Sequence, residues 1–251
     1  MFRALEIAAS GMAGEQVAMN TVANNLANVN TTAFKSSQTR FEELLSVENA
    51  DGTWAPQGVQ VSANETNATQ GTLQATGNTW DLGISGQGYF PLTNASGQEV
   101  YTRAGNFSVN AEGQVVNANG LPLAGGITVP TGTQSVQVGL DGTVTAIPAG
   151  STQTVTLGKI ELVNFANVQG LQDDGQGIYE ATAASGPALR QESSTLALGL
   201  GSVIQGSLET SNVNMVQEMV NMINTQRAYE TGAKTITAAD QMLGYANSLV
   251  R

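Results

Sequence analysis

Asp173 and Asp174 form the most conspicuous acidic pair of the chain. Neighbouring carboxylates of this kind can hold a divalent cation or share general acid–base work. Their setting, GLQDDGQG, is instead that of a solvated turn, and Asp141-Gly142 reads fully as a turn pair. Gly199 to Gly206 (GLGSVIQG) is glycine-rich like a phosphate-cradling loop, but it lacks the lysine that a P-loop requires. The chain has no histidine and no cysteine. That excludes imidazole catalysis, thiolate chemistry, disulfides and the usual zinc ligands, and it leaves a serine nucleophile only lysine as a base. The expectation is a protein that is not an enzyme and takes no cofactor or metal.

What remains for recognition is a set of amides and a few charges. Asn24, Asn25, Asn28 and Asn30 lie within seven residues. They read either as a polar helix end, where asparagine tolerates the left-handed cap, or as a lattice of amide hydrogen bonds between identical subunits. Glu218, Arg227 and Glu230 have a similar pair of readings. They are surface pairs worth a few tenths of a kcal/mol, or groups that fix register between subunits.

Both sets sit on the two stretches best suited to long helices. Residues 1–35 hold only Gly11 and Gly14, and residues 211–251 only Gly232 and Gly244; the rest of the 29 glycines and all six prolines lie between. Apolar residues recur every seventh position at Leu5, Met12, Met19 and Leu26, and again at Met215, Met222, Tyr229, Ile236, Leu243 and Val250. This spacing predicts helices over 3–28 and 212–249, each keeping one face against another helix. Ser211 or Asn212 is the expected cap of the second. Val213, Val216, Val220 and Ile223 add another apolar line to its first half, which should therefore meet partners on two sides.

The body between is different in kind. Asp51-Gly52, Ser96-Gly97, Glu112-Gly113, Asn119-Gly120 and Asp141-Gly142 separate alternating segments, which predicts an antiparallel β region. Strands are expected over 81–90, 100–106, 114–117, 136–140, 143–147 and 159–164. Hydrophobic content is 41%, but charged residues make up only 12%, about half the usual share. A surface rich in Asn, Gln, Ser and Thr packs against neighbours without desolvating many charges. The formal net charge of −11, with nine basic residues spread thinly, argues against nucleic acid and anionic membrane as partners. Glu6 and Glu15 interrupt any apolar core a signal peptide would need.

Four segments carry a resemblance: NTVANNLANVNTTAFK (Asn20–Lys35), GTLQATGNTWDLGISGQGYF (Gly71–Phe90), YTRAGNFSVNAEGQVV (Tyr101–Val116) and LETSNVNMVQEMVNMINTQRAYETGAKTITAADQML (Leu208–Leu243). In these the chain resembles the bacterial flagellar rod and hook proteins, and Glu209–Asn214 with Gln226–Glu230 look most like the distal-rod type. Three departures stand out: only 25 residues separate Phe41–Leu45 from Gly71, Ala33 stands where glycine is common, and Pro91 follows GQGYF where a strand would continue.

The resemblance implies an α+β fold, with long N- and C-terminal α-helices packed together as a coiled-coil domain and a central antiparallel all-β domain. Its divisions are an N-terminal helix at 1–33, a connecting segment at 34–70, a β domain at 71–207 and a C-terminal helix at 208–251. It implies a structural subunit that polymerises helically into the tubular drive shaft carrying torque from motor to hook. A proximal rod or hook-type axial subunit is the alternative. Its assembly interface would use Leu5, Met12, Met19, Asn24, Asn25, Leu26, Asn28 and Phe34 from the first part of the chain. From the last part it would use Asn212, Met215, Met219, Met222, Ile223, Gln226, Arg227, Tyr229, Ile236 and Leu243. Implied partners are further copies, other rod and hook subunits, the flagellar type III export apparatus and the surrounding bushing rings. The implied place is the periplasmic rod of the basal body, reached without a cleaved signal peptide. A reading from a different class is a secreted β-rich adhesin or glycan-binding module, which would display Trp54 or Trp80.

Overall fold

The computed structural model describes residues 2–44, 47–48, 54–55, 58–150, 153–190 and 199–249. The chain forms two compact units: Met1–Val29, Lys35–Asn67 and Val213–Arg251 make the first, Asn30–Phe34 and Ala68–Asn212 the second. Val250, the Asp51-Gly52 turn and the side chain of Trp54 lie outside the described residues.

In the first unit, α1 (Phe2–Ala27) and α2 (Met215–Leu249) run antiparallel. Met12 packs against Gly232, while residues 18–22 of α1 share a groove with residues 218–225 of α2. The cap of α2 is Asn214, later than expected: its Oδ1 accepts from the N–H groups of Val216 (3.1 Å) and Gln217 (3.2 Å). Strands Ser37–Glu43 and Val59–Thr66 pair antiparallel, with a bulge at Arg40/Phe41. This ribbon lies on α1. The Phe41 ring approaches Gly14 so closely that a Cβ there would sit 2.7 Å from Cε1, and Ser10 is in similar contact with Gly58. A helix-weakening glycine at position 14 thus makes room for an aromatic ring.

The expected coiled-coil domain is not what forms. The helical unit contains a β ribbon as well as the two helices, and among the described side chains of α2 the only buried one is the small Ala239. A seven-residue repeat marks an apolar face without specifying what covers it; here a ribbon takes part of the role given to a helix. Among the described residues, Val22 and Ala239 are the only buried hydrophobics of this unit.

The second unit is mostly β, but it is divided among several small sheets instead of forming one antiparallel domain. A four-stranded sheet runs Gln172–Gly175, Ile178–Glu180, Glu99–Thr102, Phe90–Thr93; a three-stranded one runs Thr133–Val138, Thr143–Pro148, Val155–Lys159. Two further antiparallel pairs join distant parts of the chain, Leu82–Ser85 with Ser202–Gln205 and Leu73–Ala75 with Ser207–Glu209. The strand expected over 81–90 is split at Gly86 (φ 110°) and Gly88 (φ 136°). Pro91 is accommodated because Phe90–Thr93 is an edge strand, where a missing N–H costs no ladder bond.

Three of the turns share one construction. Asn94, Asn110 and Asn117 each accept the N–H of the glycine three residues on at their carbonyl. Each also accepts one or two further backbone N–H groups at its side-chain oxygen. Asp141 makes a related turn, and hydrogen bonds from the Thr143 hydroxyl and N–H hold its carboxyl below the usual carboxylate range.

Leu82, Ile84, Phe90, Leu92, Val144, Ile160, Leu162 and Val203 are all but sealed from solvent and form one core. Each such side chain contributes about 1.5–3 kcal/mol. Beside it Tyr89, Tyr101, Phe165 and Tyr179 meet edge to face, with Tyr101 and Phe165 centroids 4.8 Å apart. Burial pushes the phenols of Tyr89, Tyr101 and Tyr179 up.

Candidate assembly interface

The first unit carries an uncovered apolar band. Met215, Met219 and Ile223 recur at every fourth residue of α2, beside Val216 and Val220, and all five are exposed, Val216 to 71%. Their spacing puts them on one helical face. Met222, Ile236 and Leu243 are half-buried, whereas Tyr229 is exposed. On α1, Leu5, Met12, Met19 and Leu26 are half-buried.

The asparagines are used unequally. Asn25 is 1% exposed and spent within the chain: its Nδ2 donates to the Ser37 carbonyl (2.8 Å) and its Oδ1 accepts the Ser37 N–H (2.9 Å). This amide pins the start of the ribbon to α1, and Thr39 adds to the tie, 3.0 Å from the Thr21 hydroxyl. Asn28 donates to both the carbonyl and the side chain of Asn24, leaving these two amides at the exposed helix end. Gln226 donates to Glu230 (3.2 Å), and Arg227 is exposed. A groove of about 280 Å³ between α1, the ribbon and α2 is lined by Thr21, Val22, Gln38, Thr39, Glu218, Asn221 and Asn224, among others.

Phe34 and Asn212 belong to the second unit and lie together. The Asn212 N–H donates to the Phe34 carbonyl (3.3 Å), and its amide donates to Thr69. Beside them is a centre that spacing could not disclose. Glu209, 1% exposed, accepts Arg103 Nε (2.7 Å) at one oxygen and the Gly71 N–H (2.8 Å) at the other. Arg103 also donates to the carbonyls of Gly88 (2.8 Å) and Gly86 (2.5 Å). A side chain at Gly71 would strike the Thr210 carbonyl. Three of the four segments that carry the resemblance therefore meet on one buried ion pair. Glu209 also closes the fourth, because its carbonyl accepts the N–H of Ala33 (2.8 Å), which sits in the left-handed region at φ 56°. That conformation accounts for glycine being common at this position. The available signal was the rarity of basic residues: Arg103 is the single one between Arg40 and Lys159.

Asp173 behaves as a turn residue, accepting the Gly175 N–H (2.8 Å), and Ser202–Gln205 is a strand, not a phosphate loop. Trp80 packs against the core, and the exposed aromatics Phe41, Tyr229 and Tyr245 all belong to the first unit. The β unit thus lacks, among its described residues, the displayed aromatics on which a glycan-binding reading depended. No described helix is long and apolar enough to cross a membrane.

Three family models match in order along the chain. One described as flagella basal body rod protein covers residues 5–35. The flagellar hook protein FlgE/F/G D1 domain covers 83–146, and the flagellar basal body rod FlgEFG protein C-terminal region covers 204–249. The chain is 39% identical to the flagellar basal-body rod protein FlgG of Caulobacter vibrioides, over 98% of this chain and 99% of that one. To FlgG of Buchnera aphidicola from Acyrthosiphon pisum it is 38% identical, over 97% and 98%. Against the flagellar basal-body rod protein FlgF of Caulobacter vibrioides the identity is 35%, over 86% and 84%.

Proposed function

From the premise that this chain belongs to the flagellar basal-body rod protein family, we propose that it is a structural subunit of the rod, of the distal type, without catalytic activity. Copies polymerise helically, with other rod and hook subunits as axial neighbours, into the tube that transmits torque from motor to hook. Its place is the basal body, within the periplasm. Arrival through the flagellar type III apparatus without signal cleavage, and contact with the surrounding bushing rings, belong to the same reading.

The observation that carries it is the imbalance between the units. The second unit has a continuous apolar core, whereas the first has, among its described residues, two buried hydrophobics and an exposed band at Met215, Val216, Met219, Val220 and Ile223. Long helices with so little of their own to bury take their stability from tertiary partners. Covering the band with neighbouring copies contributes on the order of 1 kcal/mol per residue, since between 42% and 71% of each is exposed. Leu5, Met12, Met19, Leu26, Met222, Ile236 and Leu243 hold the helices that present it, while Asn24, Asn28, Gln226, Arg227 and Tyr229 supply its polar margin. Phe34 and Asn212 anchor the segments by which the second unit meets the same assembly.

Met219→Asp provides the test. The purified variant should fail to sediment as polymer under conditions where the unchanged chain assembles, with Trp80 fluorescence unaltered. Normal polymers from Met219→Asp would remove the band from the interface.

A further inference from the structure

Among the described residues, the one buried polar side-chain atom without a hydrogen-bond partner is Oε2 of Glu218. It lies in the groove of about 280 Å³ with Thr21, Gln38, Asn221, Asn224 and Thr225. None of the residues lining that groove is basic. A shielded carboxylate oxygen with no donor from its own chain is unfavourable, and the groove beside it leaves room for a donor from outside.

Arg227 has the complementary deficit. It is exposed, no ion pair engages it among the described residues, and Glu230 is occupied by Gln226. From Glu218 to Arg227 is about two and a half helical turns, so the two side chains leave α2 on opposite faces, roughly 13 Å apart along the axis. Within one copy they cannot meet.

We propose that the Glu218 groove receives the guanidinium of Arg227 from a second copy, an inference that rests on the reading of this chain as a polymer subunit. A contact between two different patches on opposite sides of one helix is heterologous. It repeats from copy to copy and yields an open array unless its rotation closes a ring. The guanidinium fork suits the site: part of it pairs with the carboxylate, and the remaining N–H groups find amide and hydroxyl oxygens in the wall. Lys234, the other unpaired cation described on α2, is a compact and strongly hydrated point charge that matches this lining less well.

Assembly of purified chains, followed by sedimentation and electron microscopy, tests the pair. Glu218→Gln, nearly isosteric, should raise the critical concentration about tenfold or more, as should Glu218→Arg and Arg227→Glu. Far-ultraviolet circular dichroism would confirm that each variant keeps its helices. Mixing Glu218→Arg with Arg227→Glu restores opposite charges at every contact of an array in which the two alternate, so the mixture should assemble although neither component does. Lys234→Ala should leave the threshold unchanged. Unchanged assembly of Glu218→Gln, or a folded mixture that stays soluble, would overturn the pairing. Failure of the unmodified chain to polymerise at any concentration would instead sink the homopolymer reading beneath it.

Discussion

Replacing Glu209 by glutamine changes one atom at the centre of the second unit. The Glu209 side chain is 0% exposed and that of Arg103 6%, so solvent does not screen the pair. Glutamine can still accept the Gly71 N–H, and Arg103 keeps its bonds to Gly86 and Gly88. What is lost is the negative charge, leaving a guanidinium buried without its counterion, a change that costs about 3–5 kcal/mol. With a urea dependence of about 2 kcal/mol per molar, the unfolding midpoint should fall by roughly 2 M. Trp80 reports on this unit because it packs against the main core; a Trp54→Phe background isolates its fluorescence. Arg103→Met should cost at least as much, since it also strips donors from the carbonyls of Gly86 and Gly88. The double variant should be less unstable than the sum of the singles by about 2 kcal/mol or more. A midpoint shift below about 0.3 M for Glu209→Gln, or strict additivity, would refute the argument that this pair is buried and coupled.

Other outcomes follow from the same structure. Gly14→Val should destabilise the first unit by about 1–3 kcal/mol, because its side chain displaces the Phe41 ring; amide exchange over α1 would report the loss. Ala33→Val forces a β-branched residue into φ 56° and should cost at least about 1–2 kcal/mol in urea unfolding, whereas Ala33→Gly should be near neutral. Burial raises the pKa of Tyr89, Tyr101 and Tyr179, so the folded state holds protons that the unfolded state releases near pH 10. Stability should therefore be full below about pH 10 and decline as pH rises further, with phenolate absorption from these three appearing together with unfolding. Truncation after Gly201 removes the partners of Leu73–Ala75 and Leu82–Ser85 and should abolish cooperative unfolding seen by Trp80.

The helices and turns were legible in the chain because their determinants are local. Four glycines over two long ends, and turn pairs ending in glycine between alternating segments, specify elements within a few residues of themselves. The coiled coil was misread because a repeat defines a face and not its cover: Phe41 reaches Gly14 only once the ribbon folds back on α1. The strand over 81–90 broke at two glycines whose positive φ angles no periodicity could register. Arg103 and Glu209 stand too far apart in the chain for any spacing rule to join them. Asn25 looked like its neighbours, yet both ends of its amide are spent on the backbone of Ser37, whereas Asn24 and Asn28 pair with each other.

The way residues 202–212 close the second unit governs when this chain can be finished. They supply the strand partners of Leu73–Ala75 and Leu82–Ser85, the counterion of Arg103 and the acceptor for the Ala33 N–H. The other helix of the first unit comes later still, from Met215 onward. A chain delivered from its N-terminus therefore exposes most of its length before either unit can lock. Contacts this distant in sequence also make folding slow once the last segment arrives. Incompleteness is thus a property of every partial length, and maturity comes in one late step.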